Sequence, residues 1–277
     1  MSGTRADVLV TAGELEGLLA GGAPPAVLDV RWQLARPDGR PDYESGHVPG
    51  AVYVSLEDEL TDHSVQRRGR HPLPSGRAVE EAGRQWGLVS GGDVVVYDDW
   101  NRAGSARAWW VLTAAGIPGV RILDGGLAAW MAIGGRLETG PRTVARGDVE
   151  VLHDDLYAGG LPTLTADEAA ALGPRLVDAR APERFRGDVE PVDPVAGHVP
   201  GAINVPSTAL LGADGTFASD GVLRSEWADA AGAYCGSGVT ASVVVAALAS
   251  AGVPVALFPG SWSQWCNEPT RPVATGD

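Results

Sequence analysis

Residues 234–242 read YCGSGVTAS and contain Cys235, one of only two cysteines in a chain of 277 residues. The short run GAYC (232–235) reads as a strand ending at the thiol, and ASVVVAALASAG (241–252) reads as a helix. A strand, a tight loop and a helix gather loop amides at a helix N-terminus and form an anion nest. A thiol ending the strand stands at the centre of that nest, where amides and helix dipole favour the thiolate. Gly236 and Gly238 allow backbone conformations and close approaches that a side chain would block. Ser237 and Thr240 can add hydroxyl donors, and Val239 completes the loop. The competing reading is a structural cysteine buried in a turn. The glycines and hydroxyls around this thiol favour a nucleophile over that reading.

Missing residues narrow the chemistry further. A thiol phosphatase clamps phosphate with an arginine six residues after its cysteine, and that position is Ala241. There is no lysine, which removes Schiff-base chemistry. No Cys-x-x-Cys and no Cys/His spacing of a zinc site occurs. Cys266 follows Trp265 outside any close-spaced motif and reads as a bystander more than as a redox partner for Cys235. The net charge of -14 disfavours nucleic acid and anionic membranes as partners. The N-terminus lacks the pattern of a signal peptide, and no segment approaches the roughly 20 apolar residues of a membrane span. A cytoplasmic, reducing location is the expectation.

The elements that position Cys235 are written twice. GHVPGA occurs at 46–51 and at 197–202, an offset of 151 residues. VLDVR (27–31) and LVDAR (176–180) precede these copies, and AGIPGVRILDGGLAAW (115–130) pairs with AGVPVALFPGSWSQW (251–265). Three landmarks in the same order are the signature of a duplicated unit. The first copy is longer by the residues around 61–75, TDHSVQRRGRHPLPS. Each copy alternates strand-like and helix-like segments, which predicts an α/β fold of two parallel sheets, each with helices on both faces. Thr11 with Glu14 and Thr165 with Glu168 have the spacing of capping boxes. Gly116 and Gly252 close the helices that follow the second buried strands. The expected organisation is a first domain over 1–140, a linker over 141–162 and a second domain over 163–277. In the first copy Asp98 stands where the second has Cys235. The Asp/Arg pairs at 29/31 and 178/180, and the paired histidines His47 and His198, recur in both copies and read as supports of the fold. Trp262 and Trp265 read as core or cleft wall.

The duplication, the twin GHVPGA, the CGSGVT loop and PGSWSQW together resemble the two-domain rhodanese-type sulfurtransferases over nearly the whole chain. The CGSGVT loop is similar to that of 3-mercaptopyruvate sulfurtransferases, whereas thiosulfate-preferring members usually carry Arg-Lys at the positions of Gly236 and Ser237. The resemblance implies two tandem rhodanese-like domains, the first catalytically inactive because Asp98 replaces the cysteine, with the active site in the cleft between them. It implies a ping-pong reaction in which Cys235 takes a sulfane sulfur as a persulfide and passes it to a thiophilic acceptor such as cyanide, a thiol or a thioredoxin. It implies a small-molecule sulfur donor, no metal and no organic cofactor. A protein that carries the persulfide without turnover is the alternative. Arg184 matches an arginine that binds the donor's anionic group, with Arg186 as a further candidate. His71, in RHPLP, matches a residue presented to the cleft, and Asp62 is expected to complete a relay with Ser237. At 190–192 this chain has Glu-Pro-Val where the mercaptopyruvate enzymes tend to have Glu-Pro-Arg. The donor therefore stays open between 3-mercaptopyruvate and thiosulfate.

Overall fold

A computed structural model describes residues 4–277 and contains two parallel sheets, one from each repeat. The first contains β1 (Leu9–Val10), β2 (Ala26–Asp29), β3 (Val52–Tyr53), β4 (Val94–Tyr97) and β5 (Val120–Leu123), ordered β1-β5-β4-β2-β3. The second contains β6 (Leu176–Asp178), β7 (Ile203–Asn204), β8 (Gly232–Tyr234) and β9 (Ala256–Leu257), ordered β7-β6-β8-β9. With β6 equivalent to β2 and β8 to β4, the second order repeats the first without its β1 edge. A parallel bridge between Thr163 and Leu257 takes the place of that edge. All ladder pairings within the two sheets are parallel. Residues of β4, VVVY, are wholly buried because helices cover both faces.

Local chemistry sets the element ends. The Thr11 and Thr165 side chains accept from the amides of Glu14 and Glu168, and both capping boxes are complete. Helices Ala103–Ala114 and Ala241–Ser250 follow β4 and β8. Gly116 and Gly252 lie beyond their C-termini at φ 90° and 75°, a region that favours glycine. Both helices are buried on almost every face, because each lies on its own sheet and against the other across the repeats. One apolar core consequently runs through both repeats, from Leu28 and Val96 to Val177 and Val245. Separate clusters fill the outer face of each sheet, one around Leu15 and Trp130, the other around Phe185 and Trp262.

The repeated polar residues do the same work twice. Arg31 and Arg180 clasp Asp29 and Asp178 and reach the carbonyls of Gly46 and Gly197. His47 bonds the Tyr43 carbonyl and His198 that of Phe185, each ring stacked on the same residue's aromatic ring. Residues 141–162 contain only a 3-10 turn, Leu156–Ala158, and are fastened to the first repeat by Leu152 and Gly160 amides on the Ala115 and Ala114 carbonyls. Residues 61–75 form no helix or strand and connect helices Leu56–Glu59 and Gly76–Gln85.

Candidate active site

Cys235 directly follows β8 and is 2% exposed. Its amide donates to Ser261 Oγ at 3.1 Å, and its carbonyl accepts from Trp262 N at 3.0 Å. Both bonds hold the strand end rigidly under the loop. Gly238 turns back at φ 83°, and its amide donates to Cys235 Sγ at 3.1 Å. A Cβ on Gly238 would lie 2.5 Å from the Pro259 carbonyl oxygen, so the turn accepts only glycine. Val239 is buried in the core, and Thr240 is the N-cap of helix Ala241–Ser250 without a side-chain cap bond.

The equivalent loop of the first repeat is filled. Asp98 Oδ1 accepts from the amides of Trp100 and Arg102, and Oδ2 from the amide and hydroxyl of Ser105. Arg102 Nη2 pairs with the same carboxylate at 2.9 Å. The carbonyls behave alike too, with Leu127 N on Asp98 O where Trp262 N meets Cys235 O.

The first repeat reaches into the Cys235 loop through residues 61–75. His71 Nδ1 lies 2.7 Å from Ser237 Oγ, and its Nε2 lies 3.1 Å from Glu57 Oε1. Glu57 also accepts from Trp32 Nε1 at 2.6 Å and has His63 Nε2 3.2 Å from its other oxygen. The hydrogen bond from His71, aided by that from Trp32, outweighs burial and holds the Glu57 carboxyl down at about 2. Burial keeps the His71 pKa below its ordinary 6.5 despite Glu57. A neutral His71 beside an ionised carboxylate carries its proton on Nε2. Its Nδ1 therefore accepts, and the Ser237 hydroxyl is the donor.

Asp62 does not take part in this relay. Its carboxylate accepts from the amide and hydroxyl of Ser64, two residues on, in a local turn. Glu57 occupies the place expected for Asp62. Sequence could not select it from the acidic run at 57–59, since Asp58 and Glu59 make other bonds, to Ser55 and to Trp86.

Arg184 lies at the middle of helix Pro182–Arg186 and borders the Cys235 loop, with Nη1 3.5 Å from where a Gly236 Cβ would stand. It is paired with Glu190 at 2.6 Å and reaches Asp193 at 3.5 Å. Arg186 points elsewhere. It pairs with Asp188 at 2.8 Å on the surface and does not border Gly236, because two positions along one helix face different ways. Val192 is 40% exposed, and no arginine enters the site from that position.

Two arginines of the first repeat reach the site although no local sequence pattern marks them. Arg70 borders Gly236 from the side opposite in sequence, and Arg107 lies fully buried beneath the His71 turn. Arg107 Nη2 donates to the carbonyls of Leu60 and His71, both at 3.0 Å, and its buried Nη1 has no hydrogen-bond partner. Burial lowers its pKa to about 10, partly offset by nearby Tyr157, Cys235 and Glu57. The periodic apolar run SARAWW gave no sign of a charged residue facing inward. Cys266 is free, packs in the other outer-face cluster, and is pushed up to about 11 by burial and by Asp193. Trp262 and Trp265 are core residues whose indole N–H groups tie the carbonyls of Val195 and Pro272. A cleft of about 750 Å³ lies beside the loop, lined from both repeats by Arg67, Arg70, Asp193, Ser263, Gln264 and Thr270.

The profile of the rhodanese-like domain matches this chain twice, at residues 11–133 and 162–268. SseB of Mycobacterium tuberculosis, which carries the name thiosulfate sulfurtransferase, is 60% identical over 98% of both chains. A Pseudomonas aeruginosa protein named for 3-mercaptopyruvate sulfurtransferase activity is 44% identical over 91% of this chain and 92% of its own. The crystal structure of SseA from Escherichia coli, described for the fold and mechanism of the 3-mercaptopyruvate enzymes, superposes with a TM-score of 0.78. It is 31% identical and covers 92% of this chain and 98% of that one.

Proposed function

The chain belongs to the rhodanese-like family, and on that premise we propose that Cys235 is the nucleophile of its sulfurtransferase reaction. The donor is thiosulfate or 3-mercaptopyruvate, a small molecule in either case. The observation that carries this reading is the Cys235 sulfur held by the Gly238 amide in a loop that Ser237 joins to His71. The Cys235 thiolate attacks the donor's outer sulfur and forms an S–S bond. With thiosulfate, the donor's own S–S bond breaks and sulfite leaves with the electron pair. With 3-mercaptopyruvate, the C–S bond breaks and the electron pair passes to the enolate of pyruvate. The thiol proton of that donor must then reach the enolate carbon. A thiophilic acceptor attacks the outer sulfur of the persulfide, and the Cys235 thiolate is released.

The chain's residues suit both halves of this cycle. A persulfide is an anionic sulfur, and loop amides with buried Arg107 nearby favour it. The Ser237 hydroxyl, donating to a neutral His71, can pass a proton between donor thiol and enolate. Thiosulfate cleavage moves no proton, so the relay serves 3-mercaptopyruvate alone. Arg184 supplies a planar fork for the donor's anionic end. The first repeat contributes His71 and Arg70 while its own loop is filled by Asp98, the division of labour of an inactive domain serving an active one. A thiol or thioredoxin-like protein is the natural acceptor in a reducing, cytoplasmic setting, which suits two free cysteines. No helix among the described residues is long and apolar enough to cross a membrane.

Cyanide with either donor tests the reading. The wild type forms thiocyanate, and Cys235→Ser abolishes it. Absence of thiocyanate from both donors, or its formation by the serine variant, would refute the assignment.

A further inference from the structure

We propose that His63 is a positioning residue for the proton relay: neutral, it holds Glu57 against His71, and protonated, it weakens that hold and slows the reaction of 3-mercaptopyruvate alone. This role rests on the sulfur-transfer reading. Glu57 spans two histidines. Its Oε1 meets His71 Nε2 at 3.1 Å, and its Oε2 meets His63 Nε2 at 3.2 Å. Oε1 is shared with Trp32, whereas Oε2 has His63 alone. With His71 Nδ1 2.7 Å from Ser237 Oγ, four groups form one chain from the Cys235 loop to the surface. Exposure rises along it, from 3% at the His71 side chain through 26% at Glu57 to 53% at His63.

The outer end opens on a second cleft. A hollow of about 520 Å³ is lined in part by Glu57, Asp58, Glu59, Asp62, His63 and Glu81. It shares no lining residue with the cleft beside Cys235. Its carboxylates repel an anionic donor, so this side of the relay meets water and not substrate. The other four acids are engaged elsewhere. Asp58 accepts from Ser55, Glu59 from Ser55 and Trp86, Asp62 from Ser64, and Glu81 pairs with Arg146. Glu57 has the two histidines as its only basic partners among the described residues. Asp62, absent from the relay, fixes the turn that carries His63. Its carboxylate takes the Ser64 amide and hydroxyl, and its carbonyl takes the Val65 amide.

The relay passes through an imidazolium. As Ser237 takes the donor's thiol proton, its own proton moves to His71 Nδ1, and both ring nitrogens of His71 then carry hydrogen. Glu57 stabilises that cation, while Arg70 and the buried Arg107 oppose it. The proton returns through Ser237 to the enolate carbon, and His71 is neutral again. Neutral His63 donates Nε2–H to Glu57 and leaves the carboxylate its full charge. Histidine is the side chain that changes charge near neutral pH. A protonated His63 draws on the same carboxylate and adds a positive charge with its ring centroid 6.3 Å from that of His71. Solvent screens a half-exposed charge, so the penalty on imidazolium formation is about three- to tenfold. Thiosulfate cleavage moves no proton and escapes it.

Two readouts test this on the full-length protein. The first is the half-reaction in a single turnover without acceptor, as pyruvate released from 3-mercaptopyruvate or sulfite from thiosulfate, followed from about pH 5 to 8. His63→Gln keeps a donor for Glu57 but cannot titrate, and should hold its pyruvate rate further into acid than the wild type. His63→Lys carries the charge throughout, and at the alkaline end should release pyruvate about three- to tenfold more slowly than His63→Gln. Sulfite release should follow one common profile in all three proteins. The second readout needs no donor: the titration of the His71 ring by NMR. It should fall at lower pH in His63→Lys than in His63→Gln, by about half to one unit, the same factor in logarithmic form. Pyruvate profiles that superpose in all three proteins would overturn the role, as would a His71 titration identical in the two variants. Sulfite release that changes in parallel with pyruvate release would also overturn it. A shifted His71 titration in a protein inert to both donors would keep the coupling and remove sulfur transfer. Pyruvate release indifferent to residue 63 would do the reverse.

Discussion

The loops after β4 and β8 hold equivalent places in two copies of one fold, and each turns backbone N–H toward the polar side chain that follows the strand. In the first copy the group is Asp98, which takes three amides, one hydroxyl and the Arg102 guanidinium. In the second it is Cys235, whose sulfur takes the single amide of Gly238. The first loop is saturated and buried with its counter-ion, so it has nothing to offer a substrate. The second keeps donor capacity beside an exchangeable atom. Duplication preserved the cradle, and the residue placed in it decides between structure and chemistry.

The difference can be broken from either side. Asp98→Asn leaves the Arg102 charge buried at 1% exposure without its carboxylate. Losing one partner of a buried pair costs about 3–5 kcal/mol, so thermal or urea unfolding should register a large destabilisation. Persulfide formation on Cys235 should persist wherever the variant is folded. Gly238→Ala attacks the other loop through a residue held at φ 83° and 2.5 Å from the Pro259 oxygen. It should cost about 1–3 kcal/mol of stability and slow persulfide formation, because the amide on the sulfur shifts.

The relay from the first repeat gives the next effect in size. His71→Gln should lower 3-mercaptopyruvate turnover by about 10²-fold, at the low end for general acid–base catalysis, and leave thiosulfate turnover nearly intact. Glu57→Gln should act in the same direction more weakly, and Asp62→Asn should leave both reactions unchanged. The pH dependence follows from burial of His71, whose folded pKa lies below the unfolded 6.5. Between those two values the unfolded chain binds the extra proton. Stability therefore rises with pH through that window, is fully present above 6.5, and declines as the pH falls below it. Glutamine at 71 should flatten this slope in unfolding experiments.

Much of the fold was legible because its signals are local. The GHVPGA repeats, the capping threonines and the glycines after two apolar helices each announce an element within a few residues. Cys235 was legible for the same reason, since strand, glycine loop and helix are contiguous. The partners brought from the first repeat were harder. Which carboxylate meets His71 depends on the path of an irregular segment, and Asp62, nearer in sequence, turns back on Ser64 while Glu57 reaches the ring. Arg184 and Arg186 share a helix of five residues, and only its final orientation separates a site arginine from a surface one. Arg70 and Arg107 were invisible because their importance lies in contacts across 123 and 36 residues, the Arg70–Asp193 pair and the Arg107–His71 bond.

In the proposed reaction the Cys235 loop is the cradle for an added sulfur. Intact mass of the protein after incubation with donor and removal of small molecules tests it most directly. The prediction is a gain of one sulfur, about 32 Da, located on the Cys235 peptide, reversed by cyanide and absent in Cys235→Ser. A protein that gains no sulfur from either donor, or gains it on Cys266, would contradict the claim.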